Sequence, residues 1–446
     1  MARLDNMVER GAIVEQITLS WPGKDLLLAP AGDVRYEWID PKGYTPRPLE
    51  VLHEEVPNSA AANGVVICGD ALDVLLQTES PLKEKSARLL YIDPPFNTGV
   101  AFGDYEDAMD SAQWLSMLRD RLVAVKPYLR DDASVWLHLD DSESHRARCV
   151  LDEVFGPESF VATIIWQRRT TRESRSAIST NHDSILVYAP AGPVSWKKRR
   201  NLLVKGPSEL TNRDHDPRGP WADAPFTAPG YRVNQQYTIV TPTGRKLRPP
   251  RGRSWYATEA TYIDLVNDDR IWFPKGGDGS PRLKLFPHQL RGLVPFSVWS
   301  ADETGTNDDG KRHLQALFPG GSVFATPKPE ELLERIVHVA TDPGELVLDL
   351  FGGSGTTGTT AQKMGRNWAL VERNPKTVSN VLLPRVEMVL RGQDPGGISR
   401  HYDWCGGGTV SVMRAKPAKG RGGRVVVPAG LSARRVLPVE NETVSA

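Results

Sequence analysis

The sequence has few cysteines, no excess of either charge and no long apolar run. Its three cysteines, Cys68, Cys149 and Cys405, lie far apart, so they indicate no disulfide framework or cysteine-based zinc site and fit a reducing cytoplasm. Lysine plus arginine and aspartate plus glutamate each total 55, which excludes a general attraction to nucleic acid through net charge. Neither a signal peptide nor a membrane-length apolar span is present, so we expect a cytoplasmic protein without membrane contact. The nine histidines show no metal-ligand spacing, and we predict no metal.

Short apolar runs of strand length alternate with helical stretches over most of the chain. The helical stretches include residues 112–126, 144–154 and 330–340, and the predicted strands are residues 65–68, 88–92, 134–138, 161–166, 184–188, 346–350 and 368–371. This alternation predicts an α/β fold with a seven-stranded, doubly wound and mostly parallel sheet, split by an insertion. A chain of 446 residues has room for two domains plus extensions.

The segment 347–357 reads as a buried strand that ends in a glycine-rich loop. Asp349 ends the apolar run, three glycines follow within four residues, and Thr356 opens a helix. Glycine has no Cβ, so a bulky ligand can approach such a backbone closely. Glu372 ends the next predicted strand about 20 residues later, where a βαβ unit presents an acid to ribose hydroxyls. The pattern predicts a nucleotide-like cofactor site, with a structural turn as the alternative.

The segment 89–96 places two prolines directly after an aspartate that ends another strand. Pro94 and Pro95 fix the backbone and remove two amide donors, so the loop is stiff and the Pro94 carbonyl is directed. Asp93 and this carbonyl suit the two hydrogens of an exocyclic amine, and Phe96 suits the ring that carries it. The alternative is a strand end followed by a core phenylalanine.

Positive charge is concentrated in the insertion. Residues 166–255 contain seventeen basic and six acidic residues, a net charge of +11, which suits a polyanion. Proline and glycine are frequent and the periodicity is weak, so a solvated basic loop is the alternative. The candidate contacts to nucleic acid are Arg168, Arg169, Lys197, Lys198, Arg199 and Arg200.

The chain contains the motif Asp-Pro-Pro-Phe at residues 93–96 and, after it, the motif Phe-Gly-Gly-Ser-Gly-Thr-Thr at residues 351–357. These motifs in this order resemble the β-class amino-methyltransferases of DNA, which methylate adenine N6 or cytosine N4. Further segments are similar to the modification subunits of type III restriction systems, namely residues 65–75, 96–99, 114–122, 139–143, 151–156 and 327–333. The resemblance covers most of the chain except about residues 191–300. It implies a Rossmann-like methyltransferase fold with circularly permuted motif order, divided into an N-terminal extension (1–64), a catalytic half (65–190), a target-recognition domain (191–300), a cofactor-binding half (301–392) and a C-terminal extension (393–446).

The resemblance also implies roles for individual residues. The implied catalytic residues are Asp93, Pro94, Pro95 and Phe96, and the implied contacts to S-adenosylmethionine are Asp70, Asp349, Phe351, Gly352, Gly353, Ser354, Gly355, Thr356, Glu372 and Lys328. For Lys328 a simple helix start is the alternative. For Asp140, Asp141 and Glu143, which follow a further predicted strand, helix capping competes with a catalytic role. The implied partners are double-stranded DNA, a second copy of the chain in a homodimer, and a restriction helicase-nuclease subunit.

The expected activity is methylation of adenine N6 on a flipped-out base, within a restriction-modification or phage-defence system. Aspartate at the head of the catalytic motif favours adenine, since the cytosine-N4 members of the family more often begin with serine. Cytosine N4 is the nearest alternative, and a non-catalytic recognition subunit of the same fold is another. RNA or protein glutamine is a third, although Asp93 disfavours glutamine. No cysteine lies in a Pro-Cys setting, which argues against cytosine C5 chemistry.

Overall fold

The computed structural model describes residues 18–31, 35–54, 63–97, 109–203, 210–290, 292–320 and 324–416. Parts of the predicted N-terminal extension, residues 417–446 of the predicted C-terminal extension, and Thr98 and Gly99 of the motif 96–99 lie outside the described residues. The chain divides into two compact units, one formed by Met1–Asn201 with Phe296–Ala446 and the other by Leu202–Pro295.

Strands occur throughout the described residues. Their bounds are β1 (Leu27–Ala31), β2 (Arg35–Ile39), β3 (Leu49–Glu54), β4 (Gly64–Cys68), β5 (Ala87–Ile92), β6 (Leu129–Leu139), β7 (Phe160–Gln167), β8 (His182–Tyr188), β9 (Ala222–Pro225), β10 (Thr227–Pro229), β11 (Ile239–Val240), β12 (Lys246–Leu247), β13 (Arg253–Trp255), β14 (Ile271–Trp272), β15 (Arg282–Leu285), β16 (Val298–Trp299), β17 (Leu346–Asp349), β18 (Asn367–Glu372) and β19 (Val410–Ala415).

The helices are mostly short. Their bounds are α1 (Ala71–Leu75), α2 (Ser111–Val125), α3 (Ser144–Phe155), α4 (Pro193–Lys197), α5 (Glu259–Asn267), α6 (Ala301–Thr304), α7 (Asn307–Leu317), α8 (Glu330–Ala340), α9 (Thr356–Lys363), α10 (Pro375–Thr377) and α11 (Leu383–Leu390). Within the part of the chain that the structure covers, no helix combines the length and apolar character needed to cross a bilayer.

One ten-stranded sheet organises the larger unit, in the order β16-β7-β8-β6-β5-β17-β18-β4-β19-β3. Its centre, from β6 to β4, is parallel, whereas β8 runs antiparallel to both β6 and β7. The predicted α/β fold class is confirmed, and all seven predicted strands belong to this sheet. Three further strands lie at its edges. Sequence periodicity did not reveal β16, which has only two residues, or β3, whose described side chains are half-buried or exposed. Strand β19 is mostly buried, but the polar Ser411 and Arg414 interrupt its apolar run.

Burial explains why the central strands were visible in the sequence. Every residue of β5 is buried, as expected for a parallel strand covered on both faces. Helices α2 and α3 pack over this part of the sheet, with Trp114 and Leu118 among the fully buried side chains. The apolar side of α8 is also buried, including Leu332, Leu333 and Ile336. Each such side chain contributes about 1.5–3 kcal/mol by leaving water.

The smaller unit, Leu202–Pro295, is built from very short strands. Strands β14, β15 and β9 form a three-stranded sheet, and β10 pairs with β13 and β11 with β12. Phe226, Ile239, Trp255, Ile271 and Leu283 are among the buried residues of its own core. Strands of two to four residues are too short to establish a period of alternation, which explains the weak pattern in this segment.

Candidate active site

Acidic side chains lie at the carboxyl ends of four neighbouring central strands of the large sheet. These strand ends form one edge of the sheet, which is called the catalytic edge below after its predicted role. Strands β5, β17, β18 and β4 lie side by side and parallel, and they lead into Asp93, Asp349, Glu372 and Asp70. Tyr91 on β5 pairs with Asp349 on β17, and paired strands are about 4.8 Å apart. The two loops singled out in the sequence therefore meet at this edge, although more than 250 residues separate them.

Asp349 holds the start of residues 350–355, which are called the glycine loop below. Its Oδ1 accepts the Phe351 N–H at 2.9 Å, and its Oδ2 accepts the Thr357 hydroxyl at 2.6 Å. Burial, together with the negative charges of Asp93 and Glu372, raises the pKa of Asp349 to about 7 in spite of these two hydrogen bonds. A carboxylate in this position favours a positively charged neighbour.

Glu372 holds the middle of the same loop. Its Oε2 accepts the Gly353 N–H at 2.9 Å, and its Oε1 accepts the Asn374 N–H at 2.7 Å. Gly353 has φ +50° and Gly355, which precedes α9, has φ +82°. Both angles lie in the left-handed region that favours glycine. The predicted ribose-binding acid is thus also a backbone anchor of the turn.

Protein neighbours leave little room for a side chain at these glycines. A Cβ on Gly352 would lie 3.2 Å from Leu370 Cβ, and a Cβ on Gly353 would lie 3.2 Å from Phe324 Cζ. The sequence argument assumed only a close ligand approach. The packing adds a second reason for glycine that a linear motif does not reveal, because Leu370 and Phe324 come from separate segments.

Several predicted cofactor residues shape this loop from behind. Ser354 and Thr356 are buried, with their hydroxyl oxygens 3.1 Å apart, and Arg385 Nη1 donates to Thr356 Oγ1 at 2.7 Å. Phe351 is half-buried and packs against the main core. Direct contacts of these residues with a cofactor stay predictions.

Asp70 lies in a buried ionic network. It caps α1 by accepting the Leu72 N–H at 2.9 Å, pairs with Arg121 at 2.5 Å and accepts the Tyr36 hydroxyl at 3.1 Å. Burial alone would raise its pKa, but Arg121 and Arg373 outweigh burial and hold the pKa of Asp70 below its ordinary value. Sequence reasoning missed these partners. The one signal was an arginine among the apolar positions of α2. A contact of Asp70 with the adenine of a cofactor stays a prediction.

Residues 93–97, called the catalytic loop after their predicted role, include two acceptors without a hydrogen-bond donor among the described residues. Asp93 Oδ2 pairs with Lys328 Nζ at 2.8 Å, whereas Asp93 Oδ1 is buried and receives no hydrogen bond from any described residue. The Pro94 carbonyl likewise has no donor among the residues covered by the structure. Trp114 fixes the next peptide, since its indole N–H donates to the Pro95 carbonyl at 2.6 Å.

Phe96 is supported by a buried chain of polar side chains. Its ring stacks on His138 at a centroid distance of 6.0 Å and an interplanar angle of 28°. His138 Nδ1 lies 2.9 Å from the Tyr91 hydroxyl, and His138 Nε2 lies 3.2 Å from Asp183 Oδ2. Lys328 Nζ lies 4.9 Å from the centroid of the Phe96 ring. The sequence analysis assigned no role to Asp183 or His138, because their meeting depends on the pairing of β6 with β8.

Glu143 joins the catalytic loop to two helices. Its Oε1 accepts from Asn97 Nδ2 at 3.0 Å and from the Ser111 hydroxyl at 3.1 Å, while Arg146 donates to Oε2 at 2.8 Å. Asn97 has φ +59°. The Glu143 side chain makes no capping bond at α3, so it connects these segments instead of capping the helix.

The basic residues predicted to contact nucleic acid separate into two places. Arg168 and Arg169 follow β7 at the same edge as Asp93, because β7 and β6 both run antiparallel to β8. Arg168 Nε lies 3.0 Å from Asp183 Oδ1, and Arg169 donates to the Thr180 carbonyl at 2.9 Å.

The second group, Lys197, Lys198, Arg199 and Arg200, lies near the opposite edge. Arg199 Nε lies 4.0 Å from Asp132 Oδ2, near the start of β6. Arg88, near the start of β5, donates to the Arg199 carbonyl at 3.3 Å. The five residues from Arg88 to Ile92 separate this place from the catalytic edge by about 15 Å. The structure therefore does not bring this group together with Asp93.

In Leu202–Pro295 the aromatic residues divide into core and surface. Trp221 and Trp255 are buried, whereas Tyr231 is 72% and Tyr256 54% exposed. Exposed basic residues lie on neighbouring segments of this unit, namely Arg232, Arg245, Lys246, Arg248 and Arg251. This unit thus presents basic and aromatic side chains to solvent.

Comparisons with known proteins give consistent descriptions. A family model described as DNA methylase, of the N6/N4 type, matches residues 87–382. The chain is 29% identical over 369 residues to the Mod subunit of the type III restriction-modification enzyme StyLTI of Salmonella typhimurium, covering 75% of this chain and 54% of that subunit. It is 25% identical over 374 residues to the type II methyltransferase M.EcaI of Enterobacter cloacae, covering 80% and 75% of the two chains.

Solved structures are more distant. The PvuII DNA methyltransferase, described as cytosine-N4-specific, is 14% identical with a TM-score of 0.39, covering 71% of this chain and 84% of that one. The present chain spans about half the length of the StyLTI Mod subunit.

Proposed function

The chain belongs to the N6/N4 DNA methylase family, and from that premise we propose that it transfers a methyl group from S-adenosylmethionine to adenine N6 in double-stranded DNA. The observation that carries this proposal is the pair of vacant acceptors, Asp93 Oδ1 and the Pro94 carbonyl, beside the glycine loop. An exocyclic amine, on adenine or on cytosine, has two hydrogens, and two acceptors without protein donors suit it. Aspartate at the head of the motif is our reason for proposing adenine.

The residues around the glycine loop fit the cofactor. S-adenosylmethionine supplies a methyl group on a positively charged sulfur and also carries an amino group and ribose hydroxyls. Asp349 has no basic side chain within ion-pair distance among the described residues, and its pKa is raised to about 7. A nearby positive charge would favour its ionised form. Glu372 offers a carboxylate at the end of the next strand, where hydroxyls suit it.

The catalytic loop would act by positioning and electrostatics. Extruding a base from the duplex costs a few kcal/mol, and stacking on an aromatic ring such as Phe96 returns about 1–3 kcal/mol. Asp93 and the Pro94 carbonyl then accept both amine hydrogens and turn the nitrogen lone pair out of conjugation with the ring. This arrangement holds the nitrogen in line for attack without any covalent intermediate on the protein.

We also propose that Leu202–Pro295 contributes to target recognition. Its exposed Tyr231 and Tyr256 and the neighbouring arginines combine stacking surfaces with positive charge. Since the compared Mod subunit is named as part of a type III restriction-modification enzyme, we propose that this chain acts as a modification component of a restriction-modification system, with a restriction subunit as a candidate partner.

Product analysis tests the proposed reaction. The chain is expressed in a host without its own DNA methyltransferases, and the host DNA is digested to nucleosides and analysed by mass spectrometry. We expect N6-methyladenine, and single-molecule sequencing of the same DNA should assign it to one short motif.

The matched control is the Asp93→Ala variant expressed at the same level, which should leave the DNA unmodified. N4-methylcytosine without N6-methyladenine would replace adenine by cytosine as the target. Absence of any methylated base, together with no heat of binding for S-adenosylmethionine, would favour the non-catalytic recognition subunit.

A further inference from the structure

We propose that Lys328 is a positioning residue for Asp93: its ammonium group holds Oδ2 and leaves Oδ1 for the amine of the target base. This inference rests on the proposed function and assigns a role in catalysis that the predicted contact between Lys328 and the cofactor does not include.

The first argument concerns the acceptors that the proposal assigns to the amine. Lys328 occupies Asp93 Oδ2 at 2.8 Å, whereas Asp93 Oδ1 and the Pro94 carbonyl have no donor among the described residues. Two vacancies match the two hydrogens of an exocyclic amine. Lys328 can therefore stay in place when the base arrives, and it selects which oxygen of Asp93 faces the base.

The second argument concerns how firmly Lys328 is held. Only 7% of its side chain is exposed, and its ammonium group also lies over the Phe96 ring. Its backbone lies two residues before Glu330, the buried first residue of α8. Glu330 pairs with Lys363 at 2.7 Å and with Arg385 at 3.2 Å, and these ion pairs anchor the start of the helix. A buried lysine beside an anchored helix start suits the orientation of a partner better than a solvated lysine does.

The third argument is that no second cation shares this role. Among the described residues, Lys328 is the one basic group within ion-pair distance of Asp93. Loss of its ammonium group therefore leaves the Asp93 carboxylate without a charged partner that fixes its orientation.

The test compares three variants of the full chain. Lys328→Met removes the charge and keeps the length of the side chain, Lys328→Arg keeps the charge, and Lys311→Met makes the same change at an exposed lysine of α7. Methyl transfer to host DNA that lacks modification is measured as kcat at pH 7. The affinity for S-adenosylmethionine and the midpoint of chemical unfolding are measured in parallel.

We expect Lys328→Met to lower kcat at pH 7 about 10- to 100-fold while the affinity for S-adenosylmethionine and the midpoint of unfolding stay close to wild type. Lys328→Arg should recover most of kcat, and Lys311→Met should match wild type throughout. A fall in kcat that is matched by an equal loss of cofactor affinity or of stability would mean a merely structural contact and would overturn the inference.

An increase of kcat/KM for DNA in Lys328→Met would also overturn it, because the ammonium group would then compete with the base for Asp93. If wild type methylates DNA and Lys328→Met is equally active, the inference is wrong while the proposed function stands. A wild-type enzyme that produces no methylated base rejects the proposed function itself.

Discussion

The glycine loop and the catalytic loop lie on adjacent strands, but they are held in opposite ways. In the glycine loop, Asp349 and Glu372 use both carboxylate oxygens on groups of their own neighbourhood, three of them backbone N–H groups. In the catalytic loop, Lys328 supports Asp93 and His138 supports Phe96 from distant positions in the chain, and Asp93 Oδ1 has no donor among the described residues. The acids of the glycine loop bond to nearby groups of the chain, whereas Asp93 keeps one oxygen without a donor.

This difference matches the role proposed for each loop. A loop that receives a cofactor benefits from a backbone fixed in advance, because ordering it at the moment of binding would reduce affinity. A loop that grips a target amine needs acceptors that no protein group has taken. A buried acceptor without a donor destabilises the fold by about 1–3 kcal/mol, and the proposed function explains why Asp93 Oδ1 is such an acceptor.

The largest expected effect comes from removing the Asp93 carboxylate of the catalytic loop. Asp93→Ala should lower methyl transfer at least about 1,000-fold, because the amine loses an acceptor where charge develops. The affinity for S-adenosylmethionine should change little, since the glycine loop keeps all its own bonds. Transfer of a labelled methyl group and calorimetry measure the two quantities. Comparable turnover in the variant would remove the role assigned to Asp93.

The pH dependence of stability at Asp349 tests the support of the glycine loop. Its pKa is raised from the ordinary 3.8 to about 7, so the folded protein binds this proton more tightly than the unfolded chain does. The stabilisation is full below about pH 4 and is lost as the pH rises through about 7. Asp349→Asn lacks this titration.

The free energy of unfolding of wild type relative to Asp349→Asn should therefore fall between pH 4 and pH 8, by up to roughly 4 kcal/mol. Urea unfolding of both proteins without cofactor, at several pH values, measures it. Parallel stability curves for the two proteins would show that Asp349 ionises normally in the fold.

A pair of glycine substitutions separates packing from backbone conformation. Gly353→Ala places a side chain at φ +50° and near Phe324, whereas Gly352→Ala meets Leu370 at a similar distance without a positive φ. The left-handed conformation costs about 1–2 kcal/mol for a residue with a Cβ. We expect Gly353→Ala to weaken cofactor binding about 5- to 30-fold and Gly352→Ala to weaken it less, as measured by calorimetry. Equal losses would assign the requirement to packing alone.

The same contrast explains what could be predicted from the sequence. The acids Asp349 and Glu372 bond to groups within 19 residues of themselves, so a linear motif contains both partners. The strands were predictable for a related reason, because burial on both faces makes a continuous apolar run such as β5.

The support of the catalytic loop was not predictable in this way. Lys328 reaches Asp93 across 235 positions, and His138 reaches Phe96 only because β6 is paired next to β5. No local pattern encodes such contacts. The basic cluster Lys197–Arg200 illustrates the same limit, since its charge was visible in the sequence but its place at the far edge of the sheet depends on the fold.

The smallest expected effect concerns Glu143, which connects the catalytic loop to α2 and α3. Glu143→Ala removes the acceptor shared by Asn97 and Ser111, and Asn97 has to hold φ +59° without that bond. We expect kcat to fall about 3- to 10-fold through looser positioning of the loop, with cofactor affinity unchanged. Glu143→Gln is the matched control, because its side-chain oxygen still accepts both hydrogen bonds, and it should retain most of the activity. If both variants instead lost cofactor affinity together with kcat, the two loops would be coupled through α2 and the independence of their supports would be wrong.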